Sequence, residues 1–132
     1  MKRIFLALII GCFSLSVSAD ETQAVEASSS WLVTIDQSNY AKSWFESAPF
    51  FQSQITEEKW AKAAESARKP LGKLLNRKLS QAEAHSSLLG APDGEYYVIV
   101  YSSAFENNAH ATETVTVVHA GEEWKAVGYF IK

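Results

Sequence analysis

The spacing of apolar residues changes once along this chain, at Gly72, and that change bounds the fold more tightly than anything else in the sequence. Up to Leu71 the apolar steps are of three and four, the repeat of a helix with one buried face; beyond Gly72 they alternate, as in a half-buried strand. In the first part, Val25, Ser28, Trp31, Leu32 and Ile35 form one helical stripe, and the polar run Asp36 to Asn39 punctuates it. A second, short helix carries Tyr40, Trp44 and Ala48 on one face and is expected to stop at Pro49. A third has Thr56 as N-cap, Glu57 and Glu58 in its first turn, and the stripe Trp60, Ala64, Ala67 and Leu71. Glu58 with Lys62 and Glu65 with Lys69 are i,i+4 pairs on its solvated side, and Pro70 and Gly72 mark its end.

The second part reads as four strands: Leu75 to about Ser87, Glu95 to Glu106, Ala109 to His119 and Trp124 to Ile131. Gly90-Ala91-Pro92-Asp93-Gly94 is a turn cluster, Asn107-Asn108 suits a two-residue hairpin loop with positive φ, and Gly121-Glu122 suits another. Short connections make neighbours antiparallel. The predicted class is α+β: N-terminal helices on one face of a four-stranded antiparallel meander, in a single domain over 20–132. A two-residue Asn107-Asn108 loop pairs Ser102 with Glu113, Val100 with Val115 and Val98 with Val117, all on one face. Across the next turn that face gains Trp124, Ala126, Gly128 and Phe130, with Glu113 opposite Phe130. A carboxylate at the border of so apolar a face needs a cation and hydrogen bonds. Arg77 is the expected partner of Glu113 in a structural ion pair, with Arg68 in reserve. A hydrated Glu113 beyond the helix cover ranks second, and a catalytic or ligand-binding one third.

The first nineteen residues carry a different message. Lys2 and Arg3, the apolar run Ile4 to Ile10, and the small residues of Val17-Ser18-Ala19 form the three parts of a secretory signal, with cleavage expected after Ala19. The apolar run is shorter than the roughly 20 residues that span a bilayer, and no later segment approaches that length. The expected location is therefore periplasmic or secreted. The alternative is a lipoprotein anchored through Cys12, because Ile9-Ile10-Gly11-Cys12 loosely fits a lipid-modification pattern. Cleavage removes two of the 12 basic residues and the single cysteine, leaving 10 basic against 15 acidic side chains, a net of −5. Disulfides, thiol catalysis and thiolate metal binding are then excluded. No basic stripe is present, which argues against nucleic acid.

Motifs for chemistry are absent. His85, His110 and His119 are scattered, and nine strand residues put the last two about 30 Å apart. No serine lies in a Gly-x-Ser-x-Gly elbow, and there is no glycine-rich phosphate loop. No catalytic, cofactor or metal residue is assigned. Gly128, inside a strand, is read as room for a packed helix ahead of room for a ligand. Trp31, Trp44, Trp60 and Trp124 are candidates for the core or for an aromatic-lined pocket between helices and sheet.

Several segments together resemble the bacterial envelope family known as domain of unknown function 4019: Trp31-Leu32, Ser43-Trp44, Trp60, Arg68-Lys69-Pro70-Leu71-Gly72 and Arg77, then Gly90 to Tyr96, Phe105, Glu113 to Thr116, Trp124 and Gly128 to Ile131. The resemblance spans Trp31 to Lys132, with Leu89 departing where a proline is typical. It implies an α+β fold similar to the nuclear-transport-factor-2-like cone, and no activity. The leading functional reading is a non-enzymatic envelope module that binds a partner protein or a small ligand. The alternatives are a cone-fold enzyme with a pocket acid or base, and a structural or assembly factor.

Overall fold

A computed structural model of the protein describes residues 18–132; the signal segment and Cys12 lie outside the described residues, apart from its last two positions. Four α-helices, α1 (Ala19–Asp36), α2 (Tyr40–Phe45), α3 (Pro49–Gln54) and α4 (Glu57–Arg68), precede four strands, β1 (Leu74–His85), β2 (Tyr96–Phe105), β3 (Asn108–Ala120) and β4 (Glu123–Ile131). The strands form one antiparallel sheet in the order β1-β2-β3-β4. The helices pack on one face of it, and the architecture is the expected α+β meander.

Where the helices begin and end follows from local chemistry. Ser18 caps α1 by accepting from the Glu21 amide at 3.1 Å, and Thr56 caps α4 by accepting from the Lys59 amide at 3.3 Å. α1 is closed by paired bonds from the Ser38 and Asn39 amides to the Ile35 and Thr34 carbonyls, a Schellman closure. That closure puts Ser38 at φ 60, a conformation glycine usually supplies. The second helix ends at Phe45, before the expected stop at Pro49, and Pro49 instead opens a helix the sequence reading lacked: it occupies the first turn of α3, where its missing N–H costs nothing. Ala48 therefore lies on no helical stripe. It is buried in the α2–α3 link and donates its amide to Ala126 O at 2.8 Å, covering part of the β4 edge.

The first hairpin is one residue out of the expected register. Phe105 pairs with Asn108, so the loop is Glu106-Asn107, and Glu113 faces Tyr101 rather than Ser102. No asparagine there has positive φ. The cause is tertiary. Glu106 Oε1 accepts from the Lys73 amide at 2.7 Å, and Asn107 Nδ2 donates to Pro70 O at 3.0 Å, so both loop residues are spent docking the hairpin on the α4–β1 corner. Gly72 is required at that corner. Its φ is 75, and an added Cβ would stand 3.0 Å from Glu106 Cβ. The second hairpin has the expected Gly121-Glu122 loop, with Gly121 at φ 66. A bulge then leaves Val127 unpaired, so Gly128 and Phe130 turn to the outer face and Tyr129 and Ile131 turn inward. Gly128 thus makes no room for a helix; a Cβ there would meet only Thr116 Cβ at 3.9 Å.

Side chains fill the space between the layers. Trp31, Leu32 and Ile35 of α1 and Trp60 and Ala64 of α4 pack on Ile99, Tyr101, Val115, Val117, Trp124 and Ala126. Val98 and Val100, expected on this face, sit on the other. The indoles are tied down as well as buried. Trp31 Nε1 donates to Ser43 O at 2.8 Å and Trp60 Nε1 to Ser43 Oγ at 2.8 Å, which anchors α1 and α4 to the short α2. Trp60→Ala is expected to lower stability by about 3–5 kcal/mol in urea unfolding. Ser38→Gly is expected to raise it by about 0.5–1 kcal/mol by relieving the left-handed residue. A neutral Trp60→Ala, or a destabilising Ser38→Gly, would contradict these assignments.

Candidate functional site

Two places in the molecule combine polar groups with an unusual environment, at opposite ends of α1. The first is a charge cluster under the helix layer. Glu113 enters from β3 with its side chain fully buried. Arg77 of β1 meets it with Nε and Nη2 both 2.8 Å from Glu113 Oε1. The rest of the Arg77 fork grips Asp36, the last residue of α1, with Nη1 2.8 Å from Oδ2 and Nη2 2.9 Å from Oδ1. Arg68, in the last turn of α4, gives Nη2 to Asp36 Oδ1 at 2.9 Å, while its Nη1 stands 3.9 Å from Glu113 Oε2. Ser103 of β2 donates to Glu113 Oε1 at 2.6 Å, and the Tyr129 hydroxyl of β4 donates to Oε2. Two cations and two carboxylates compensate one another, and every strand contributes a group.

Arg77 and Glu113, joined by the sequence reading, are therefore brought together, and the reserve Arg68 stands in the same cluster. Asp36 was read only as punctuation after the α1 stripe. Its signal was position: it directly follows Ile35 on the buried face and closes the helix. Tyr129 was hidden because the Val127 bulge changes which β4 residues point inward.

Burial works against the charge of Arg77. Its hydrogen bonds to Asp36 and Glu113, and their negative charge, more than offset this and hold its pKa above the ordinary value. Burial pushes Tyr129 well up, reinforced by the charge of Glu113 and partly opposed by Arg68. Burial also raises Tyr101, against a hydrogen bond with Ser28 and the charge of Arg77. Arg68 is 6 % exposed, lies over the Phe105 ring at 4.7 Å, and leaves Nε without an acceptor among the described residues. Glu113 is sealed under the helices and out of a substrate's reach, while Asp36, 19 % exposed, lines a pocket of about 380 Å3 with Arg68 but has both carboxylate oxygens engaged by the two arginines. The chemistry of the cluster is that of an internal cross-link.

The second place is an open cleft of about 670 Å3 where α1, the end of α2 and the β3–β4 turn converge. Trp31, Trp124 and Ala126 form its floor, and Phe45 stands on its rim, 62 % exposed. Glu26, Glu46, Glu122 and Glu123 line it against the single cation Lys125. Of the four tryptophans, Trp31 and Trp60 are core, Trp44 is half-buried with Nε1 on Ile55 O at 2.9 Å, and Trp124 is buried beneath a stacked His119 ring at 4.9 Å. The cleft went unread because its acids lie on three elements far apart in sequence. The histidines remain separate: His119 contacts Glu95 at 3.1 Å, His85 lies near Glu83, and His110 is exposed. Among the described residues no group of three or more His, Cys, Asp or Glu is arranged to hold a metal.

The model of a protein family described as "Protein of unknown function (DUF4019)" matches residues 27–129, and the chain belongs to that family. The matched span includes the whole charge cluster. No curated protein matches the chain.

Arg77→Ala leaves Asp36 and Glu113 short of their main cation and is expected to cost about 3–5 kcal/mol in chemical unfolding; a loss below about 1 kcal/mol would show the cluster to be incidental. The tyrosines set an alkaline limit. In the unfolded chain they ionise near 10.0, the ordinary tyrosine value, while the fold keeps Tyr101 and Tyr129 protonated beyond it. Their contribution is whole below that pH and shrinks above it, by about 1.4 kcal/mol per pH unit for each tyrosine. Tyr129→Phe should make this decline shallower, and an unchanged slope would contradict the assignment.

Proposed function

We propose that this family member works in the cell envelope as a non-enzymatic binding module, and that the cleft between α1 and the β3–β4 turn is its binding face. The observation that carries the reading is the contrast between the two polar places. The strongest acid–base constellation is buried and self-compensated. The larger cleft is open and aromatic, has an excess of carboxylates, and lacks an arranged nucleophile. A pocket enzyme needs a titratable group free to act beside a reachable space; a smaller pocket of about 380 Å3 does reach Asp36 and Arg68 at the edge of the cluster, but both are committed to its ion pairs, and Glu113 does not line it. Among the described residues no helix is long and apolar enough to cross a membrane.

The envelope location rests on the basic start, apolar run and small-residue site of the first nineteen residues. Cleavage after Ala19 would remove the Ser18 cap and leave α1 beginning at Asp20. Asp20 and Glu21 in the first turn, and the core-facing Ala24 beyond it, stay in place. Intact-mass measurement of the protein from a bacterial periplasm is expected to give a chain starting at Asp20; acyl chains on Cys12 would place it on a membrane instead. Binding is tested by site-specific photo-crosslinking in the envelope. A crosslinker at Phe45 should give a discrete adduct that excess unlabelled protein competes away, while one at the fully exposed Leu89 should not. Equal labelling from both positions would overturn the reading.

A further inference from the structure

The geometry points to a basic polypeptide segment of a partner protein as the occupant of this cleft. The inference rests on the binding reading above and goes further in assigning the occupant's charge and kind. Glu26 comes from α1, Glu46 from the end of α2, and Glu122 and Glu123 from the β3–β4 turn. Glu46 has a loose pairing with Lys42 at 3.8 Å and Glu123 one with Lys125 at 3.9 Å. Glu26 and Glu122 are in no ion pair among the described residues. The uncompensated negative charge is therefore spread around the rim and faces an open space. Complementarity calls for several positive charges carried at intervals.

Two further features favour a polypeptide over a small organic cation. A single ammonium is held by a cage of exposed aromatic faces, but Trp31 and Trp124 are buried in the floor and only Phe45 presents its ring. Phe45 is placed to carry the methylene stem of a lysine or arginine whose charged end reaches a rim carboxylate. Trp124, more than nine-tenths buried in the floor, leaves its indole N–H without an acceptor among the described residues. A peptide carbonyl laid along the floor can serve as an acceptor for that enclosed N–H once the ring turns toward it; an ammonium has none to offer.

The test is a titration of the protein, residues 20–132, with an eight-residue oligolysine, followed in 1H–15N spectra that resolve the Trp31 and Trp124 indole signals. Oligolysine is expected to shift those two signals, with an apparent affinity that falls at least tenfold from 20 to 200 mM salt as the charges are screened. The double change Glu26→Lys and Glu122→Lys, at exposed positions, should weaken it at least tenfold. The equally charged control Glu65→Lys and Glu83→Lys should keep binding within about threefold. Equal weakening in both double variants would mean attraction to net charge alone and would overturn the site. Tetramethylammonium binding as tightly as oligolysine would overturn the polypeptide occupant. If oligolysine leaves the indole signals unmoved while the apolar dye anilinonaphthalene sulfonate shifts them, the basic occupant is refuted and the binding face survives. If neither probe shifts them, both fail together.

Discussion

A carboxylate with no access to water has to be answered by the protein around it, and Glu113 is that carboxylate here. Desolvating a charge costs several kcal/mol even after relaxation, and the cost is recovered only with close cations and hydrogen bonds. Arg77 supplies two donors, Ser103 and Tyr129 one each. Arg77 would in turn be over-charged without Asp36, and Asp36 is placed by the closure of α1. The arrangement is thus a constraint as much as an attraction. The end of α1, the end of α4 and all four strands must arrive in one relative placement for each charge to be met. An apolar substitute of equal volume could give similar stability. It would not fix the register of β1 against α1 in the same way.

Around that point the fold divides its tasks. The charged end of the molecule is braced: the β2–β3 loop docks on the α4–β1 corner through Glu106 and Asn107, and Gly72 lets the backbones approach. The middle is filled by tryptophans whose N–H groups are tied to Ser43. The other end has the larger cleft, where the β3–β4 turn carries acids in place of core residues. The proposed binding face at that end can vary without disturbing the cluster, since its carboxylates are exposed and make only loose ion pairs. Rigidity at one end and tolerance at the other is what a presentation scaffold needs.

Most of the fold was legible because it rests on periodicity. The stripe Ser28, Trp31, Leu32, Ile35 and the alternation Glu113, Val115, Val117 survive small errors in boundary. This is why Glu113 was correctly placed facing inward although its hairpin was misregistered: a shift in the partner strand leaves the parity of its own strand unchanged. The same shift misassigned Val98, Val100 and Ser102, since it was decided by the docking of Glu106 and Asn107 on a corner 33 and 37 residues earlier. Phe130 and Gly128 were placed inward for a similar reason, because nothing local in the sequence announces the Val127 bulge. Asp36 was missed since a single carboxylate after a stripe looks like any helix end until the arginines opposite it are known.

The most direct test of the account is a double-mutant cycle on Arg77 and Glu113, using Arg77→Met, Glu113→Gln and both together, with stability read from urea unfolding. If the cluster joins the helices to the sheet, the two losses are strongly non-additive, with a coupling of about 2 kcal/mol or more, since residues sharing one network couple by roughly 0.5–3 kcal/mol. Additive losses, within about 0.5 kcal/mol, would mean that each residue acts alone and would contradict the account.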